Sequence, residues 1–173
     1  MSAPDFARPQ RLDTIGAGES TVAIAADEAE RAALAKRFGL LAIDALTATV
    51  TLRRDAAGIV ARGQLDAAVT QACSVTGEPL PVRVAEEFAL RFLPEPTDTA
   101  DEVELDADDC DTVFYTGGAI DLGEAAAETL LLSLDPFPRG PNAAAALKEA
   151  GVLSEDEARP FGALAALRDK LAQ

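Results

Sequence analysis

The chain has 173 residues, with thirty acidic against fifteen basic side chains and a net charge of −15. That charge repels phosphate backbones and attracts basic partners, which argues against bulk nucleic-acid binding. The complete absence of histidine excludes Ser-His-Asp triads, Cys-His pairs, His-ligated zinc and imidazole acid–base chemistry, and leaves carboxylate, Lys or Tyr chemistry open.

Half of the residues are hydrophobic but only 5% are aromatic. The core is therefore expected to be built from Ala, Leu, Val and the Phe residues, in one domain with a short appended segment. Two cysteines make no disulfide framework. The N-terminal "MSAPDFARPQRL" has no apolar signal core, and no run of about 18 apolar residues reads as a membrane span. A cytoplasmic protein with reduced thiols is the expectation.

In chain order, "FARPQRLDTI" reads as an extended arm or first strand, broken by Gly16 and Gly18, and "STVAIAA" as a short strand. Asp27 caps a predicted helix, "EAERAALAKRF", that Gly39 ends, with Ala33, Leu34 and Phe38 inward. Residues 45–54 alternate: Leu46, Ala48, Val50 and Leu52 face one way, Thr47, Thr49, Thr51 and Arg53 the other. After the turn "DAAG", Ile59, Ala61, Leu65, Ala67, Val69 and Cys73 share a face. A hairpin across Asp55–Gly58 sets Arg54 opposite Ile59, Leu52 opposite Ala61, Thr51 opposite Arg62 and Thr49 opposite Gln64. Apolar then meets apolar and polar meets polar.

"TGEP" turns the chain into a third strand, with Val82, Val84, Phe88, Leu90 and Phe92 on one side and Arg83, Glu87 and Arg91 on the other. Glu86 interrupts the apolar side. Residues 95–111 hold nine acids and no base, and read as a loop, or a loop with one short strand near Val103 and Leu105. "TVFYT" is a further strand and "GG" a turn. "AIDLGEAAAETLLLSL" is the strongest helical signal: Asp121 is its N-cap, and Glu124 stands at the capping-box position. "DPFPRGP" stops it. Two more helical pieces follow, "NAAAALKEAG" and "RPFGALAALRDKLAQ", the second with Phe161, Leu164, Leu167 and Leu171 as its apolar stripe. The fold class is α+β, an antiparallel β-meander with one helix inserted early and helices packed at the C-terminal end.

The order of these motifs resembles the YceD family, the large ribosomal RNA subunit accumulation proteins. The resemblance rests on the long hairpin leading into "QACSVTGEPLPVRVAEEFALRF", the acidic loop, and "IDL" starting a helix that carries an acid. A Leu-x-Leu-x-x-x-Pro helix exit and "RPFGALAALRDKL" complete it. It implies a YceD-like α+β domain over 1–140, with acidic loop 95–111, and a helical segment over 141–173 packing on it. It also implies a bacterial cytoplasmic factor for the accumulation or processing of large-subunit (23S) ribosomal RNA, with no catalytic residues and no cofactor. Many members carry Cys-x-x-Cys at the turn, which resembles a zinc site. Here the positions read Cys73, Ser74, Val75 and Thr76, and "RGPNAAAALKEAG" beyond the helix has neither Cys nor His. No metal is expected, and Cys73 reads as a core cysteine.

Asp121, Glu124, Glu128, Arg53, Arg62, Arg83 and Arg91 are the candidate partner-binding residues. Asp121 and Glu124 suit the first turn of a helix, where its dipole favours acids. Glu128 lies one turn beyond Glu124 on the same face, a like-charge pair that costs a few tenths of a kcal/mol, and it matches the acid of the family's helix. The acidic surface is expected to bind a basic ribosomal protein or a pre-50S particle without enzymatic activity, and no small-molecule substrate or membrane is expected. One alternative is direct contact with ribosomal RNA through the arginines, which requires them to cluster. Another is a carboxylate- and Mg²⁺-dependent enzyme, which requires several acids to converge in a cleft.

Overall fold

A computed structural model describes residues 5–95 and 111–152. Its first helix, α1 (Glu28–Phe38), starts on a reciprocal cap: Asp27 accepts the Glu30 N–H at 2.9 Å, and Glu30 accepts the Asp27 N–H at 2.8 Å. Two of the helix's orphan donors are thereby satisfied. The helix ends at Gly39, whose φ of 68° lies in the left-handed region that glycine enters without a Cβ penalty. Leu34 and Ala35 are buried, while Ala33 and Phe38 are half-buried. The inner face is thus turned slightly from the predicted one.

The main sheet orders its strands β2 (Ser20–Ala25), β3 (Ala42–Arg54), β4 (Ile59–Ala72), β5 (Pro79–Pro94) and β6 (Asp111–Tyr115). β3 and β4 pair in the predicted register, Arg54 opposite Ile59, Leu52 opposite Ala61, Thr51 opposite Arg62 and Thr49 opposite Gln64. Leu46, Ala48, Val50 and Leu52 are buried against Ile59, Ala61, Leu65 and Val69 in one apolar cluster. A slip by one residue would send that whole row into water, which is why the register is so strongly specified.

One pair departs from the meander. β6 runs parallel to β5, with Leu90 opposite Asp111 and Pro94 opposite Tyr115. Alternation specifies a face but not a direction, so the pattern of "TVFYT" carries no sign of this. The chain between Pro94 and Asp111 exceeds the roughly dozen residues that a parallel crossover needs. The predicted strand near Val103 and Leu105 and the terminal helix with Phe161 lie outside the described residues.

A two-stranded ribbon stands apart from the sheet: β1 (Pro9–Arg11) pairs antiparallel with β7 (Ala119–Asp121). β7 runs directly into α2 (Leu122–Ser133), which buries Leu122, Ala125, Ala126, Ala127 and Leu130. The chain divides into two compact units, Met1–Gln71 with Pro81–Pro136, and Ala72–Leu80 with the chain from Phe137 on. The second unit holds α3 (Ala143–Glu149), which is followed by Gly151 at φ 77°. Gln71, a polar residue on the apolar face of β4, is buried in the first unit, where its side-chain amide donates to the Asp135 carbonyl at 2.9 Å.

Candidate functional site

The start of α2 is where the predicted acids meet the rest of the first unit. Asp121 caps the helix as expected, accepting from the Gly123 N–H at 2.9 Å and the Glu124 N–H at 3.3 Å. It also accepts the Arg8 N–H at 2.8 Å, so it holds the N-terminal arm as well as the helix. The reciprocal half of the expected capping box is not formed. Glu124 instead pairs with Arg37 of α1, including one hydrogen bond of 2.9 Å. A guanidinium offers a carboxylate a stronger, charge-assisted pair than a backbone amide does. It holds the Glu124 carboxyl below its ordinary range and raises Arg37 in turn.

The arm is fixed by residues that the sequence did not single out. Phe6 is fully buried, and its ring lies 4.6 Å from the Arg8 guanidinium. Arg8 donates twice to Glu30, at 2.7 and 2.8 Å, and once to the Ala25 carbonyl at 2.7 Å. Pairing with Arg8 lowers the Glu30 carboxyl. Gly123 makes this packing feasible: a Cβ there would lie 2.2 Å from the Phe6 carbonyl oxygen. The motif "IDLG" is thus a docking point for the arm. The only sequence sign of that was a glycine in the first turn of a strong helix.

Glu128 lies beyond these pairs. Two adjoining recesses run between α2 and the β5–β6 side of the sheet, and both are lined by Val113, Ala125 and Glu128. The larger, about 580 Å³, also has Glu86, Asp111, Phe88, Leu90 and Leu132 on its walls. The smaller, about 300 Å³, reaches Phe92, Tyr115, Ile120 and Glu124. Glu128 is exposed, as are Glu86 and Asp111.

The arginines have mixed surroundings. Arg91 donates to Asp55 at 3.0 and 3.2 Å. Burial pushes the Asp55 carboxyl up, but the Gly58 N–H, the Arg91 guanidinium and the Ala57 N–H outweigh it and hold it below the ordinary carboxylate range. Arg62 shares a recess with Glu87, and Arg83 shares a different one with Asp66. Arg53 is exposed opposite Val60 at the hairpin's end. Arg62 and Arg83 thus line separate recesses, each together with an acid.

In the second unit, Cys73 is buried and carries no disulfide. It is a core cysteine, as expected, and its sulfur is in addition a hydrogen-bond acceptor. The Gly140 N–H approaches it at 3.3 Å and the Thr76 N–H at 3.5 Å. Gly140 first, then Thr76, pull the thiol down to about 6, since donors stabilise the thiolate. The turn is completed by Gly77 at φ 73° and by its N–H bond to the Cys73 carbonyl at 2.9 Å. Thr76, in the place of a second cysteine, donates its hydroxyl to Glu78 at 3.0 Å, and the Asn142 amide donates to the same carboxylate. These contacts join the turn to the segment before α3. Among the described residues, no three His, Cys, Asp or Glu side chains gather closely enough to hold a metal ion, and no helix is long and apolar enough to cross a membrane. Cys110 lies outside the described residues.

No curated protein and no solved structure matches the chain. The family model described as large ribosomal RNA subunit accumulation protein YceD matches residues 61–168, more than half of the chain. That span starts in β4 and takes in the Cys73 turn, β5, the β6–α2 groove and α3. The chain belongs to the YceD family of large ribosomal RNA subunit accumulation proteins.

Proposed function

We propose that this protein is a non-enzymatic assembly factor of the bacterial cytoplasm. It binds a basic ribosomal protein, or a pre-50S particle carrying one, and so favours the accumulation of 23S ribosomal RNA. Membership of the family supplies the link to large-subunit RNA. The observation that carries the mechanism is the charge: −15 overall, with Arg8, Arg37 and Arg91 already paired to carboxylates. The field outside such a surface steers cations inward and phosphates away. Ribosomal proteins are basic because they must neutralise RNA, and an acidic host shields them until they do.

Direct RNA binding through Arg53, Arg62, Arg83 and Arg91 draws less support, because Arg91 is paired with Asp55 and Arg62 and Arg83 line separate recesses that each hold an acid. The test is the ribosome profile of cells with and without the protein. A deficit of large subunits is expected on its loss, and an unchanged profile would reject the proposal.

A further inference from the structure

The apolar side of β5 ends on a charge. Phe92 and Leu90 are buried and Phe88 is half-buried, and Glu86, next along the same side, is exposed. Strand alternation gives no reason for a carboxylate at that place. The groove against α2 supplies one. Glu86 lies on its wall with Asp111 of β6 and Glu128 of α2, around a floor that includes Phe88, Leu90, Val113 and Leu132. Leu132 is 83% exposed. Among the described residues, no Lys or Arg lines this recess or the adjoining one. Among the described residues, Glu86, Asp111 and Glu128 make no ion pair, although the Arg37 guanidinium that pairs with Glu124 also feels the Glu128 charge.

Carboxylates set around an open apolar floor give the groove a negative field that no cation on its walls offsets, and leave Leu132 in water. A ligand that relieves both has cations flanking a large apolar side chain. We propose that the α2–β6 groove binds an extended Lys- or Arg-rich peptide segment of a protein partner. The apolar side chain of that segment sits over Phe88 and Leu132, and its cations meet Glu86, Asp111 and Glu128. The proposal rests on the reading above, that the partner is a basic ribosomal protein, and adds the surface that receives it. RNA does not fit this groove, because its phosphates would meet several carboxylates and, among the described residues, no cation.

The probe is a fluorescent synthetic peptide with several lysines around a central leucine, titrated into the full chain and read by anisotropy. E86Q/E128Q is expected to weaken binding about tenfold at low salt, with most of that difference lost at high salt. L132S weakens binding at both salts, and replacing the peptide's leucine with alanine does the same to the wild type. D44N/D66N, away from the groove, leaves binding unchanged. All the substituted side chains are exposed, and circular dichroism verifies that each variant is folded. Equal weakening by both acid pairs, wild-type binding by the groove variants, or displacement of the peptide by an RNA oligonucleotide would overturn the proposal. Capture of large-subunit precursors by the tagged full chain separates the two claims. Equal capture by wild type and E86Q/E128Q removes the groove and keeps the assembly role. No capture by wild type, with the peptide still bound at the groove, removes the assembly role and keeps the groove.

Discussion

Replacing Gly123 with alanine sets two physical effects against each other. On propensity alone alanine is the better helix residue, by as much as about 1 kcal/mol, and it also reduces the entropy of the unfolded chain. Packing opposes this. The new Cβ would stand 2.2 Å from the Phe6 carbonyl oxygen, 2.9 Å from the Phe6 carbonyl carbon and 3.0 Å from the Arg8 nitrogen. All three are backbone atoms, so no side chain can swing aside. The arm has to retreat, which strains or breaks the 2.8 Å bond from Arg8 to Asp121 and the 3.2 Å bond from the Leu122 N–H to the Arg8 carbonyl. Each such bond contributes about 1 kcal/mol, and uncovering part of the fully buried Phe6 adds about 1–2 kcal/mol more. After the propensity gain, a net loss of roughly 2–3 kcal/mol remains, or roughly 4–12 °C in Tm for a chain of this size. Thermal and urea unfolding followed by circular dichroism reads this directly. In G123A/F6A the loss should be smaller than the sum of the single variants, since both act on one contact. A G123A variant as stable as wild type, or more so, would refute the claim that the arm docks on this glycine.

The Cys73 thiol should titrate near 6 by its thiolate absorbance. A pKa lowered on folding stabilises the folded state above the thiol's ordinary value near 9, and that contribution fades as the pH falls toward 6. C73A should lose this part of the pH dependence. G140A, whose Cβ would meet Leu80 at 2.9 Å, should displace the N–H donor and move the titration upward. A Cys73 titration at the ordinary thiol value would contradict the hydrogen bonding described here. R37A leaves Glu124 unpaired and should cost less than about 1 kcal/mol at neutral pH, because the pair is partly exposed. The Glu124 contribution is complete above the ordinary glutamate range and is lost as acid takes the carboxyl through its lowered folded value. Wild type and R37A should therefore converge in stability at low pH, and a constant gap down through acid would count against the pair.

The hairpin was legible because its information is local and redundant. Every residue from Ile59 to Val69 must agree with its partner between Ala42 and Arg54 about which face is buried. The cap and stop of α1 were legible for the same reason, since Asp27, Glu30 and Gly39 each act on backbone a few residues away. Long-range choices were not. Glu124 had a capping role open to it locally, and it pairs instead with Arg37, far back in the sequence. Phe6 is a lone aromatic in a polar, proline-containing arm, and only the space above Gly123 shows why it is buried. Cys73 fell on the apolar side of its strand, but the donor that most alters its chemistry comes from Gly140. Glu86 could be recognised as an anomaly, although its surroundings become visible only when α2 is folded over the sheet edge.

The most direct test of the account separates ribosomal particles on a sucrose gradient, from cells that lack the protein and from cells that carry it. A diminished large-subunit peak with accumulated small subunits is expected in the cells that lack the protein, restored by the wild-type chain and restored poorly by E86Q/E128Q. Normal large-subunit and 23S ribosomal RNA levels in the cells that lack the protein would contradict it.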